Sequence, residues 1–100
     1  MRVLRTEAYA LWIDNLKDPA GRARVLMRVD RLIHGNPGNL RNLTEGVSEL
    51  KIDVGPGYRV YYSLRGDELL LLLAGGSKAS QAKDIAMALE LNRRFPSDSP

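Results

Sequence analysis

Lys51, Arg59 and Tyr61 are spaced to meet on one face of a β-hairpin, and their types suit the handling of a phosphate. The hairpin is read from alternation. Leu50, Ile52 and Val54 point one way and Glu49, Lys51 and Asp53 the other; after Gly55-Pro56-Gly57 the inward side continues with Tyr58, Val60, Tyr62 and Leu64, the outward side with Arg59, Tyr61 and Ser63. With Val54 and Tyr58 flanking a three-residue turn, Asp53 falls opposite Arg59 and Lys51 opposite Tyr61, with paired Cβ atoms about 5 Å apart. Arginine matches the fork geometry of phosphate oxygens, a lysine crowded by arginines can act as a base, and tyrosine can stack on a nucleobase or carry a proton. The same positions also read as an ordinary Asp53–Arg59 ion pair with Tyr61 as surface cover.

Other residues extend the list. Gly75-Gly76-Ser77-Lys78 follows an apolar run and precedes a helical pattern, so its free amides can cradle an anion, or its glycines can simply permit a sharp corner. It lacks the spacing of a P-loop. Lys78 stands in this corner, with Gln81 and Lys83 one turn along, where it can touch a phosphate. Arg24, Arg28 and Arg31 recur at helical spacing as a basic stripe, a surface for RNA or for an acidic partner, or simply a solvated helix face. Glu49-Leu50-Lys51 spells the E-x-K of metal-dependent nucleases, but Glu49 and Asp53 lie about 13 Å apart along one strand and cannot share an ion. No metal site and no cofactor are expected. His34, the sole histidine, reads as a residue at a helix C-terminus.

The elements that position these residues follow from period and punctuation. Arg2 to Arg5 predict a short strand and Thr6 a helix N-cap. Ala8, Leu11, Trp12 and Leu16 form one stripe; Asp18-Pro19 restarts the chain as a second helix burying Val25, Leu26, Val29, Leu32 and Ile33; Gly35 ends it and Asn36-Pro37-Gly38-Asn39 is a loop. Leu69 to Ala74 does not alternate, which marks a strand covered on both faces or central in its sheet. A last helix from Ser77 or Ser80 carries Ala82, Ile85, Ala86 and Leu89. The expected fold is α+β: an N-terminal helix hairpin packed on one face of a small antiparallel sheet, the other face open, with a C-terminal helix. Residues 1–92 read as one domain and 93–100 as a frayed tail.

The run from Gly46 to Ile85 resembles the RelE/ParE superfamily of small bacterial toxins, above all its HigB-like "addiction module killer" branch. The matching segments are Gly46-Val47-Ser48-Glu49-Leu50-Lys51-Ile52, Gly55-Pro56-Gly57-Tyr58-Arg59-Val60-Tyr61-Tyr62, and Gly75-Gly76-Ser77-Lys78 with Gln81, Asp84 and Ile85. The likeness extends to Trp12, Leu16-Lys17-Asp18 and Arg28-Val29-Asp30-Arg31-Leu32, so it spans nearly all of residues 2–91. It implies a type II toxin, an mRNA endonuclease acting on or off the ribosome, neutralised by a cognate antitoxin, of helix-turn-helix type and encoded alongside. It also implies metal-independent transesterification in which the ribose 2′-OH attacks its own phosphodiester, with Arg59, Lys51 and Tyr61 catalytic and Lys78, Gln81 and Lys83 in contact with the RNA. Glu49 and Asp53 make this face more acidic than in well-known members. The rivals on the same fold are a ParE-like inhibitor of DNA gyrase and an inactive, antitoxin-binding relative.

Bulk numbers agree with a small globular protein. An apolar share of 44% and a charged share of 27% are not those of a disordered chain, and a formal charge of +3 is too small to bind RNA without local clustering. The chain has no cysteine, no signal-peptide core and no apolar stretch able to span a bilayer, so the expected location is the cytoplasm, with no membrane partner.

Overall fold

Thr6 converts the first strand into a helix. Its Oγ1 accepts from the Tyr9 amide (3.1 Å) and donates to the Leu73 carbonyl (2.5 Å), so one side chain caps the helix and ties it to a distant strand. The computed structural model describes residues 1–95. In order, they form β1 (Arg2–Arg5), α1 (Glu7–Asp14), α2 (Pro19–Ile33), β2 (Leu40–Asn42), β3 (Val47–Ile52), β4 (Tyr58–Arg65), β5 (Leu69–Ser77), a 3-10 turn (Lys78–Ser80) and α3 (Gln81–Arg94). Asp18 caps α2 by accepting from the Gly21 amide at 3.0 Å, with Pro19 in the first turn.

The fold is α+β. Five strands run in the order β1-β5-β4-β3-β2, antiparallel throughout except that β1 lies parallel beside β5. α1 and α2 cover one face, joined by Arg22, whose Nε donates to the Ile13 carbonyl at 3.0 Å. Tyr9, Ile13, Val25, Val29 and Leu32 bury themselves there against Leu50, Ile52, Tyr58, Val60, Tyr62, Leu70 and Leu72. The other face is not open. α3 lies on it, burying Ala88 with Val47, Tyr61, Leu71, Leu73 and Ala74, and Ile85, Leu89 and Leu91 flank them. No helix among the described residues is long and apolar enough to cross a membrane.

Several expectations change. Leu40-Arg41-Asn42 carries no strand pattern of its own, and only pairing with β3 makes it β2. On α1 the buried stripe is Tyr9 and Ile13 with Trp12 and Leu16 beside them, while Leu11 is exposed; on α2, Leu26 is exposed. On α3 it runs through Asp84, Ala88 and Asn92, and Ala82 and Ala86 face outward. The supposed tail stays in the fold for its first residues: α3 continues to Arg94, and Phe95 packs on the second core. Residues 96–100 of that tail lie outside the described residues.

β5 holds the decisive irregularity. A bulge in its pairing with β4 makes Tyr61 oppose Ala74 and Tyr62 oppose Leu72, so Leu73 is the extra residue. Past it, side-chain parity flips. Ala74 and Gly76 thereby join Leu71 and Leu73 on the α3 side, and Gly75 turns to α1. Gly75 and Gly76 are therefore strand, not the expected corner; the corner is the 3-10 turn that follows. Both glycines are needed for close approach: a Cβ on Gly75 would collide with the Trp12 ring, and one on Gly76 with the Asp84 carboxylate and the Ser80 hydroxyl.

Candidate functional site

β3 and β4 are joined through Gly55 and Gly57, both at positive φ (54° and 77°), and the loop runs from Asp53 to Gly57 rather than over three residues. The longer loop shifts the ladder. Lys51 stands opposite Arg59 and Glu49 opposite Tyr61, so the expected Asp53–Arg59 and Lys51–Tyr61 pairs do not form. Asp53 lies beyond the end of β3, exposed in the loop.

Two rows of side chains cross the α3 face. The first is Arg41 of β2, Glu49 of β3, Tyr61 of β4 and Ala74 of β5; the second is Lys51, Arg59 and Gly76. Ala74 and Gly76 are small, which leaves room for the tyrosine and the arginine to lie under the start of α3. Tyr61 and Glu49 are fully buried (both 0% exposed) and Arg59 is nearly so at 5%, against the expectation that this row faces solvent.

Glu49 is the centre of the cluster. Its Oε2 accepts from Nε2 of Gln81, the first residue of α3, at 2.8 Å. Its Oε1 lies 3.3 Å from Nη2 of Arg41 and 4.0 Å from Nε of Arg59, yet takes no hydrogen bond. Arg59 Nη1 donates to the Tyr58 carbonyl at 3.2 Å and its Nε has no partner. Burial, reinforced by the Glu49 carboxylate, pushes the Tyr61 phenol well above its ordinary value and holds it neutral. A buried, neutral tyrosine can neither stack on a nucleobase nor relay a proton to one, so the catalytic role expected of it does not fit its position. Asp84 accepts from the Ser80 hydroxyl at 2.5 Å and sits over Gly76, fixing the first turn of α3 on the sheet.

The solvent edge of the cluster is cationic. Lys51 is half-buried beside Arg59, and Lys78 is exposed in the 3-10 turn, its amide donating to the Gly57 carbonyl at 2.8 Å. A side chain at Gly57 would touch both the Arg59 guanidinium and the Cβ of Lys78, so the Gly-Pro-Gly loop brings Lys78 alongside Arg59, whose ladder partner is Lys51. Gln81 belongs to the cluster through Glu49, and Lys83 is exposed two residues on.

The arginine stripe of α2 does not join them. It lies in the helix layer on the opposite face, and Arg28 is no surface cation: its guanidinium donates to the carbonyls of Lys51 (2.8 Å), Pro37 (3.0 Å) and Asn39 (3.2 Å), clamping the loop before β2. Arg24 and Arg31 are exposed. Among the described residues no three His, Cys, Asp or Glu side chains gather where they could hold a metal ion. Sequence reasoning missed Arg41, because β2 gives no periodic signal, and gave Glu49 no partner. The parity that placed Glu49 beside Lys51 was the available clue.

No protein-family model matches the chain. It is 38% identical over 88 residues to an uncharacterized protein of Haemophilus influenzae, an alignment covering 88% of this chain and 89% of that one.

Proposed function

We propose, for a chain that belongs to the same family as this Haemophilus influenzae protein, the role of toxin in a type II toxin–antitoxin pair of the RelE/ParE kind. In this reading it is a metal-independent endoribonuclease that cuts mRNA, on or off the ribosome, in the cytoplasm. A cognate antitoxin, a helix-turn-helix protein encoded beside it, holds it in check. The observation that carries the reading is that Lys51 stands opposite Arg59 in the ladder while Gly57 lies against both the Arg59 guanidinium and the base of the Lys78 side chain. Cleavage by the 2′-OH needs a proton acceptor and fixed positive charge for the dianionic phosphorane. In this reading Lys51 takes the first task. Arg59, 5% exposed and held by the Tyr58 carbonyl, supplies the second once RNA binding uncovers its guanidinium, and Lys78 holds the flanking phosphate.

Loss of one such donor costs about 2.7–4 kcal/mol, or about a hundredfold to a thousandfold in rate. Arg59→Ala should therefore abolish growth arrest while the protein still folds and still co-purifies with its antitoxin. Primer extension on transcripts from cells induced without the partner should show new 5′ ends within coding regions, undiminished when cleavage is repeated with EDTA. A folded Arg59→Ala protein of full toxicity would remove the site.

A second reading has an observation of its own. Glu49, Arg59 and Tyr61 are buried as a structural network would be, which favours a protein that acts by binding, as the ParE-like gyrase inhibitors do. Intact transcripts together with inhibited supercoiling by gyrase would select it.

A further inference from the structure

The Glu49 carboxylate is an anion already installed among arginines. Oε2 is committed to Gln81, but Oε1 faces Arg41 at 3.3 Å and Arg59 at 4.0 Å with no hydrogen bond to either. Leaving a buried acceptor and buried donors unmatched is unfavourable, and here both occur at once, in Glu49 Oε1, Arg59 Nε and the Tyr61 hydroxyl. Arg41 is differently placed. It sits on the three-residue edge strand β2, and its side chain is 54% exposed. It can swing outward without disturbing the core, and Arg59 Nε and the hydroxyl of Tyr61, the ladder partner of Glu49, are the donors left for the Glu49 carboxylate when it does.

We propose that Arg41 exchanges partners, leaving the Glu49 carboxylate for a backbone phosphate of single-stranded RNA, so that Glu49 is an internal competitor for the RNA and Arg41 its outer phosphate contact. The ligand class follows from the surroundings: Lys51 and Lys78 border the same face, and an exposed guanidinium released from a carboxylate has the fork geometry that phosphate oxygens fit. Gln81 keeps Glu49 in place throughout, so the exchange needs no opening of α3. The inference rests on the RNA-directed reading above and adds a residue and a competition to it.

Binding of a short 2′-O-methyl oligoribonucleotide, which the proposed chemistry cannot cleave, tests it across a salt series. Glu49→Gln keeps an amide or carbonyl for Gln81 and frees Arg41, and should tighten binding about tenfold, the worth of one charge-assisted hydrogen bond. Arg41→Ala should weaken binding and make the slope of log K against log salt shallower by about 0.7, one single-strand phosphate contact. The double variant should bind like Arg41→Ala alone. Glu7→Gln, the same charge change on α1, should leave binding as it is. Unchanged or weaker binding by a Glu49→Gln protein that melts like the wild type overturns the proposal. So does wild-type affinity and salt slope in Arg41→Ala, which removes an exposed side chain and decides the matter should Glu49→Gln fail to fold. So does a failure of both the wild type and Glu49→Gln to bind at any salt. Transcript cleavage is scored separately: absent new 5′ ends with this binding series intact would sink the nuclease and leave the exchange standing.

Discussion

Tyr61 and Tyr58 face opposite sides of one strand and carry their hydroxyls in opposite circumstances. The Tyr61 hydroxyl is buried and makes no well-formed hydrogen bond, although it feels the Glu49 carboxylate across the ladder. Removing an unmatched polar group relieves its desolvation, so Tyr61→Phe should leave the urea midpoint unchanged or raise it, whereas Tyr61→Ala should cost about 3–5 kcal/mol by opening a cavity. If Tyr61→Phe were also to lose toxicity, the tyrosine would be chemical after all. The Tyr58 hydroxyl instead donates to Asp18 Oδ2 at 2.6 Å. That bond, with help from the Gly21 amide, holds the Asp18 carboxyl below its ordinary value of 3.8, and it holds the Tyr58 phenol above its ordinary 10.0. The signs differ. The Asp18 contribution is complete above its unfolded value and is lost as pH falls through the lower folded one. The Tyr58 contribution is complete below 10.0 and is lost as pH rises through the higher folded value. Tyr58→Phe should therefore lower stability at neutral pH and flatten both the acid and the alkaline limbs of a urea-midpoint profile. A profile of unaltered shape would mean that the bond contributes nothing.

At the scale of elements, the placing of α3 depends on the bulge in β5 and on one glycine. Parity after Leu73 puts Gly76 beneath Asp84, and the Ser80–Asp84 hydrogen bond ties the 3-10 turn to the first turn of α3 above it. Gly76→Ala should cost about 1–3 kcal/mol through that overlap, and much of the loss should return in the Gly76→Ala/Asp84→Ala double variant. Additive losses in thermal melts would mean that the two residues do not meet. The far end of α3 is held differently. Arg65 donates to the Asn92 carbonyl (3.0 Å), its Oδ1 (2.8 Å) and the Phe95 carbonyl (3.2 Å), satisfying acceptors that a helix end leaves open. Arg65→Ala should speed hydrogen exchange in the last turn of α3 and leave the first turn, under Asp84 and Gln81, nearly as protected as before.

For the whole molecule, closure depends on contacts distant in sequence. β1 is the cover on β5, the most apolar strand, with Arg2 to Arg5 paired in register to Leu69 to Leu72. Removing residues 1–5 would bare that edge. The shortened protein should scatter light as aggregates at concentrations where the full chain does not, because an unpaired apolar strand templates further pairing. A shortened chain that stays monomeric and melts cooperatively would show that β1 is dispensable.

Local chemistry determined much of this in advance. Thr6 and Asp18 as caps, Pro19 in a first turn, the alternation of Leu50 to Tyr62 and the apolar run from Leu69 each state their own conformation, because capping, φ restriction and two-residue parity act over a few residues. The α+β class follows from those elements, and the membership of the β3–β4 face from parity alone. What parity cannot say is how far one strand slides against another or what lies on top. The five-residue loop set the register that gives Lys51 to Arg59 and Glu49 to Tyr61. The Leu73 bulge chose which small residues lie beside them. α3 turned an expected open surface into a buried one. Arg41 entered the cluster only because β2 borrowed its conformation from β3. Each of these is a balance of contacts between segments far apart in the chain, and such a balance exists only once those segments have met.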